Sequence, residues 1–308
     1  MKIYTVTLNP AFDKHLYIDN FAAGKEYIAD DFSICAGGKG INVSKILSFL
    51  GTDNVAVGIL GKNNANEFET LLGPKFNSDF IYADGNIREN ITVHTRGSED
   101  TRLCINGFCV CPELAELCFS KISADDDTFV VFSGSLPEKT DVSFISEKLN
   151  YLKASGAKIV LDSRSFDNES LKKAYPFLIK PNRYEAQNLV NFEITNQKNA
   201  YNAAVKLVFE KTCENAIITL DKYGGVYFGT YGSFFVHVPE IVAVSTVGAG
   251  DSTVAGFVSE FSKSGDIVSS LKTAFALGSA CCTTKNFDMP SFDEVEKIKK
   301  DIVVEKLY

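Results

Sequence analysis

The sequence predicts an α/β fold in which a doubly wound, mainly parallel sheet is covered by helices on both faces. Three observations carry that expectation. Short, continuously apolar runs alternate with stretches of helical spacing, as in buried parallel strands joined by crossover helices. Each central run stops at small or polar residues. Two further pairs of alternating segments fall outside this rhythm and predict a small separate sheet.

In chain order, the opening Met1-Lys2-Ile3-Tyr4-Thr5-Val6-Thr7-Leu8 alternates like a strand and meets Asn9-Pro10. Residues 15–18 and 27–35 read as short alternating strands. Ile41, Val43, Ile46, Leu47 and Leu50 recur at helical spacing over 41–50, with Gly51 as a stop. Residues 91–95 and 102–105 are again strand-like, with the turn-like Gly97-Ser98-Glu99-Asp100 between them. These four segments would make a lid on the main domain. Phe129-Val130-Val131-Phe132 stops at Ser133-Gly134, and Ile159-Val160-Leu161 stops at Asp162. Phe177-Leu178-Ile179 stops at Lys180-Pro181-Asn182, and Ala216-Ile217-Ile218-Thr219-Leu220 stops at Asp221. Helices are expected over 144–154, closed by Gly156, and over 200–211 and 252–261. Ligands of open α/β sheets bind at the carboxyl ends of the strands.

The 308 residues suffice for one large α/β domain or two ordinary ones. With 45% apolar and 23% charged residues, no long disordered stretch is expected. A formal net charge of −8 argues against general binding to nucleic acid or to an anionic membrane. No apolar run approaches the roughly 18 residues of a membrane span, and the opening is too short for a signal peptide. The eight cysteines form no C-x-x-C pair, and only His15, His94 and His237 could join them at a metal. Most of these thiols are expected to be buried and free in a reducing cytoplasm.

Chemistry concentrates in two motifs. In Ser245-Thr246-Val247-Gly248-Ala249-Gly250-Asp251-Ser252-Thr253 the glycines let backbone N–H groups converge, and the helix that follows adds unpaired donors and its dipole. Such a site suits a transferring phosphoryl group, and Asp251 at its mouth could accept a hydroxyl proton. Asp251 could equally be an acidic residue favoured by the helix dipole. In Ala36-Gly37-Gly38-Lys39-Gly40-Ile41-Asn42-Val43 a ligand can approach the backbone, Lys39 can meet a phosphate, and Asn42 can bind hydroxyls. A glycine-rich loop with a solvated lysine is the alternative. Neither motif is a P-loop or a dinucleotide fingerprint.

Together, in this order and separation, the two motifs resemble the two signatures of the PfkB carbohydrate kinases, a ribokinase-like family. Thr7-Leu8-Asn9-Pro10-Ala11-Phe12-Asp13 and Ser133-Gly134-Ser135-Leu136-Pro137 look like its phosphosugar kinase branch. Leu161-Asp162-Ser163 and Lys180-Pro181-Asn182-Arg183-Tyr184-Glu185 fall where the family has similar motifs. The resemblance spans nearly the whole chain. It implies one ribokinase-like kinase domain over 1–308, with a discontinuous β-lid from about 12–36 and 87–107 that often pairs with the lid of another subunit. It implies ATP and Mg²⁺ as cofactors, a phosphorylated ketohexose as substrate, and a cytoplasmic location. It makes Asp251 the catalytic base and Gly248, Ala249 and Gly250 the anion hole. Asp13, Gly37, Gly38, Lys39 and Asn42, with Arg88, Asn90, Arg102 and Ser135, would hold the sugar phosphate. Asn182 and Glu185 would organise Mg²⁺ through water, and Lys180, Thr219, Gly224 and Ser279 would line the nucleotide site. For Asn182 and Glu185 the alternative is a helix cap.

Ser44-Lys45-Ile46-Leu47, Asp162-Ser163-Arg164 and Leu60-Gly61-Lys62-Asn63-Asn64 look most like 1-phosphofructokinases, which implies fructose 1-phosphate as substrate. Tagatose 6-phosphate and fructose 6-phosphate are the alternatives, and a catalytically silent sugar-phosphate sensor is the non-enzymatic one. Two departures motivate them. Arg88-Glu89-Asn90-Ile91-Thr92-Val93-His94 has Thr92 where 1-phosphofructokinases have lysine, and Arg102 on the next strand could supply the missing charge or simply be solvated. Asp221 stands where the family usually has glycine beside the nucleotide, and its carboxylate would repel phosphates unless it turns away.

Overall fold

Neighbouring side chains of one buried strand enter two different cores. Val130 and Phe132 pack into one cluster and Phe129 and Val131 into the other. Ile159 and Leu161 likewise oppose Val160, and Ala216 and Ile218 oppose Ile217. Both faces are therefore dry, which is why these strands read as unbroken apolar runs. The computed structural model of the chain describes residues 1–95, 99–285 and 288–307. Gly97 and Ser98 of the expected turn lie outside the described residues.

The strands are β1 (Lys2–Thr7), β2 (Ala11–Tyr17), β3 (Asp31–Gly37), β4 (Val55–Gly61), β5 (Ser78–Ala83), β6 (Arg88–His94), β7 (Thr101–Ile105), β8 (Thr128–Ser133), β9 (Lys158–Asp162), β10 (Leu178–Ile179), β11 (Asn215–Thr219), β12 (Gly225–Gly229), β13 (Gly232–His237) and β14 (Val303–Lys306). A ten-stranded sheet has the order β14-β13-β12-β11-β10-β9-β8-β1-β4-β5. It is parallel from β11 through β5 and antiparallel from β11 out to β14. The central β10 is short because Pro176 and Pro181 flank it, and proline has no N–H to give a ladder.

Helices α1 (Lys39–Phe49), α2 (Ala65–Leu72), α3 (Pro112–Phe119), α4 (Val142–Ala154), α5 (Asn168–Ala174), α6 (Arg183–Val190), α7 (Gln197–Phe209), α8 (Ala249–Ser264), α9 (Ile267–Cys281) and α10 (Phe292–Asp301) cover the sheet. One core takes Phe68 of α2, Leu149 of α4 and Leu207 of α7. The other takes Ile46 of α1, Phe257 of α8, Leu271 of α9 and Ile298 of α10. Helices α4 and α7 begin before the apolar spacing does. Asp141 accepts from Ser143 N and Phe144 N, and Asn196 accepts from Asn199 N. A polar first turn closed by a side-chain cap has no apolar period to read. Among the described residues, no helix is long and apolar enough to cross a membrane.

The expected small sheet is four-stranded, in the order β3-β2-β6-β7. Its strands start elsewhere than the alternation suggested. β2 begins at Ala11, paired with Gly37, and Tyr27 to Asp30 precede β3. One of its faces presents Asp13, His15, Arg88, Asn90, Thr92 and Arg102. The other presents Phe32, Ile91, Leu103 and Ile105. The expectation that most cysteines are buried is corrected. Cys118, Cys213 and Cys281 are buried, whereas Cys104, Cys109 and Cys111 are exposed. Cys104 lies in the edge strand β7, and Cys109 and Cys111 lie in the segment that leaves it.

Phe132 is 1% exposed and meets Phe166 edge-on, with centroids 5.7 Å apart. Phe132→Ala should remove about 3–5 kcal/mol of unfolding free energy, read from urea denaturation. A loss well below that would mean that the two cores can collapse around the gap.

Candidate active site

The parallel strands all end on one edge of the main sheet, and polar side chains collect there. Asn9 follows β1, Ser135 follows β8, Asp162 ends β9, Lys180 follows β10, and Thr219 ends β11. Asn9 Nδ2 donates to Ser135 Oγ at 3.2 Å, and Arg88 Nε donates to Asn9 O at 3.2 Å. A cleft of about 490 Å³ runs beside Asp162, Arg164, Lys180 and Glu185.

Asp162 is the electrostatic centre. Its side chain is 2% exposed, with Lys39 Nζ 3.2 Å from one oxygen and Lys180 Nζ 3.5 Å from the other. Burial would push this carboxyl up, yet the two ammonium groups hold it below the usual carboxylate range. Burial works against the charge on Lys39, but Asp162, Asp251 and Glu185 win and raise it. Lys39 opens α1, and Asn42 lies one turn along. Asn42 Nδ2 donates to Asp251 Oδ2 at 2.8 Å.

Asp251 sits in the first turn of α8, behind Gly248 and Gly250. Gly248 has φ +82° at the N-cap, a left-handed conformation that glycine adopts without strain. A Cβ on Gly250 would lie 3.3 Å from Lys180 Nζ, so the lysine reaches the start of this helix. Asp251 is 5% exposed. Burial, with the Asp162 charge adding to it, pushes its carboxyl up to about 7, against Lys39, Asn42 and Lys180. This is a proton-accepting group near neutrality, beside two cations and unpaired helix N–H donors. Ser279 lies in the last turn of α9, next to the start of α8. A Cβ on the adjoining Gly278 would come 3.2 Å from Ala249 O.

The small sheet brings Asp13 to the same edge. Asn90 Nδ2 donates to Asp13 Oδ1 at 2.7 Å, and Arg102 Nη2 lies 3.9 Å from that oxygen. A Cβ on Gly37 would collide with Asp13 Oδ2, so only glycine lets the loop pass this carboxylate. Gly38 follows it directly as the N-cap of α1. Arg88 is close enough to Asp13, Arg102 and Arg164 to interact with each. Burial lowers the Arg88 guanidinium, although such a group keeps its proton in proteins.

Asn182 and Glu185 form the cap that was the alternative for them. Glu185 N donates to Asn182 Oδ1 at 2.9 Å and Asn182 N donates to Glu185 Oε2 at 3.0 Å, a reciprocal box at the start of α6. Asn182 also forms a parallel bridge with Thr219, which ties the two loops together. Asp221 has φ +53°, which explains a glycine preference here. Its carboxylate turns to Arg183, 3.4 Å away, and Gly224 closes the turn. Asp162, Asn9 and Arg164 belong to this constellation but were not singled out from sequence. The signal was there: each lies at or just after a strand end inside a quoted motif.

The sequence model described as "pfkB family carbohydrate kinase" matches residues 8–291. The chain belongs to the PfkB family of carbohydrate kinases. A 1-phosphofructokinase of Borreliella burgdorferi is 32% identical over 309 residues, covering 99% of each chain. One from Bacillus subtilis is 29% identical over 310 residues, covering 99% of this chain and 100% of the other. The structure of phosphofructokinase-2 from Escherichia coli in complex with fructose-6-phosphate superimposes with a TM-score of 0.86 at 24% identity, covering 97% and 98% of the two chains. Ribokinase of Arabidopsis thaliana, complexed with ribose and ATP, gives 0.75 at 18%, again covering 97% and 98%. These two show the shared ribokinase-like fold.

The raised Asp251 carboxyl predicts a stability signature. The folded chain holds this proton from about pH 4 to about 7 while the unfolded chain releases it, so stability falls as pH rises through that window. Asp251→Asn keeps an acceptor for Asn42 and removes the titration. The melting temperature of the variant should gain on the wild type between pH 5 and pH 8. A constant difference across that range would show that Asp251 is ionised throughout.

Proposed function

We propose that this chain transfers the γ-phosphoryl group of ATP to a ketohexose monophosphate, and that the substrate is fructose 1-phosphate, giving fructose 1,6-bisphosphate. The observation that carries this reading is the buried Asp251, with a carboxyl raised to about 7, at the N-terminus of α8 behind Gly248-Ala249-Gly250. The acceptor hydroxyl gives its proton to Asp251 as its oxygen bonds to phosphorus, and the bond from phosphorus to the departing ADP oxygen breaks. The Gly248–Gly250 N–H groups and Lys39 meet the charge on the transferring group. Lys180, Thr219, Gly224 and Ser279 line the nucleotide side. Gly37, Gly38, Asn42, Asp13, Asn90 and Ser135 hold the sugar, with Arg88 and Arg102 toward its phosphate. Asp221 faces Arg183 at 3.4 Å, which supports its compatibility with ATP and weighs against a silent sensor.

The donor set suits a magnesium ion that arrives with ATP. Glu185 offers a carboxylate already fixed through its other role, and Asn182 an amide. Among the described residues no cluster of three acidic, histidine or cysteine ligands could cage a metal. Mg²⁺ commonly keeps its waters and takes one or two carboxylates plus phosphates. Bound there, it would neutralise phosphate charge.

The name of the curated relatives supports fructose 1-phosphate. A 6-phosphate is the second reading, favoured by Thr92 in place of a lysine and by Arg102 beside it in register. Coupled ADP release with MgATP should give the highest kcat/KM for fructose 1-phosphate among the three phosphosugars. A ratio that favours a 6-phosphate would transfer the assignment to Arg88, Asn90 and Arg102 as the deciding residues. Asp251→Asn should lower kcat by about 10²–10⁴-fold, and wild-type kcat should rise with pH through about 7. Undiminished turnover in the variant would remove Asp251 as the base.

We also propose a cytoplasmic homodimer joined through the lid. Phe32, Leu103 and Ile105, at 52%, 52% and 51% exposed, lie on the lid face turned away from Asp13. Apolar side chains half exposed on a sheet face suit burial against a second copy. Sedimentation should give a dimer, and Leu103→Lys should shift it toward monomer. A wild type that sediments as a monomer at working concentrations would exclude this interface.

A further inference from the structure

The lid carries a chain of titratable groups for which the kinase reading has no use. His15 Nδ1 lies 2.9 Å from His94 Nε2, and His94 Nδ1 lies 2.9 Å from Asp100 Oδ2. The two imidazoles stack at 5.2 Å, and Tyr17 also stacks on His94 at 4.7 Å. The protonation pattern follows from what each group can do. A carboxylate only accepts, so His94 Nδ1 holds a proton toward Asp100. With one proton on each ring, His94 accepts at Nε2 and His15 Nδ1 donates to it. The remaining nitrogen of His15, Nε2, is left with its lone pair.

The register places His15 in a row that holds one fixed charge. His15 pairs with Thr92 across β2 and β6, and Thr92 pairs with Arg102 across β6 and β7. His15, Thr92 and Arg102 thus form one row across three strands, on the face that carries Asp13 and Asn90 in the next row. The middle of this row is the uncharged Thr92, so Arg102 is its one permanent cation.

We propose that His15, backed by His94 and Asp100, is a phosphate-reading residue that takes up a proton when the phosphorylated substrate binds. The inference rests on the kinase reading above and identifies the groups that recognise the substrate's own phosphate. His15 faces Asp13 on its own strand, His94 on β6, Arg102 on β7, Asp100 in the segment before β7, and Asp31, Ser33 and Cys35 on β3. In the free protein, burial keeps His15 below the usual imidazole range, so it is neutral at pH 7 and above. A dianion beside Arg102 reverses that balance. His15 gains a proton from solvent at Nε2 and offers a charge-assisted hydrogen bond, while Asp100 and His94 hold the ring in place. Substrate affinity then falls as pH rises past the pKa of His15 in the complex. Proton release from Asp251 has the opposite sense and acts on kcat.

The test is calorimetric titration of the full chain with fructose 1-phosphate, without ATP, in two buffers of different ionisation heat. The wild type should take up more protons than His15→Asn, by a difference approaching about one. His15→Asn should bind about tenfold more weakly near pH 7, with an effect on KM greater than on kcat. His15→Lys, which supplies a permanent cation, should recover affinity and lose its pH dependence, and so guards against a merely misfolded lid. If His15→Asn matches the wild type in proton count and affinity, the inference is wrong and the kinase reading stands. If the wild type binds neither fructose 1-phosphate nor a 6-phosphate, both fall together.

Discussion

Two lysines from distant parts of the chain share one buried carboxylate, and the rest of the site depends on that arrangement. Lys39 comes from the glycine loop before α1, Lys180 from the end of β10, and Asp162 from the end of β9. Neither Asp162 nor Lys180 could be buried here alone, because an unpaired charge at such depth costs several kcal/mol, and the half-exposed Lys39 adds a second cation to the carboxylate. Together they leave a net positive charge at the meeting point of strand ends and helix N-termini. That is the environment an anionic substrate needs. The same charge also limits how far burial can raise Asp251.

Asp162 and Asp251 show how placement, and not residue type, decides function. Both are carboxylates with almost no exposure. Asp162 has a lysine on each oxygen and stays ionised. Asp251 has an amide donor from Asn42 and feels the lysines only at longer range, so burial dominates and its proton affinity lies near neutrality. One carboxylate is held as a fixed charge and the other is available for proton transfer. The capping box of Asn182 and Glu185 adds economy of another kind. The hydrogen bonds that start α6 also fix in place the two side chains proposed to face the nucleotide's metal.

Much of this was legible from local sequence. Parallel strands dry on both faces left unbroken apolar runs, and the polar residues that end them marked the edge where the site forms. Gly248, Gly250 and Asp251 stand together in the chain, as do Gly37, Gly38 and Lys39, so their grouping needed no tertiary knowledge. Less was legible where a role depends on a partner far away. Arg164 stands in a quoted motif with no role of its own until its neighbour Arg88 is known. Asp221 reads as a defect in a nucleotide loop until Arg183 is seen to hold it.

By itself, the sequence determined the α/β class, the phosphoryl-transfer motifs and the presence of a second small sheet, because periodicity, turn residues and contiguous loops are local properties of a chain. Only the tertiary structure decided which charges cancel and which remain. Whether Asp162 is a site residue, whether Asp221 repels, and what stands beside Thr92 all turn on contacts between segments that sequence order keeps apart. Electrostatic energy depends on distance and burial, and neither is written in the spacing of residues along a chain.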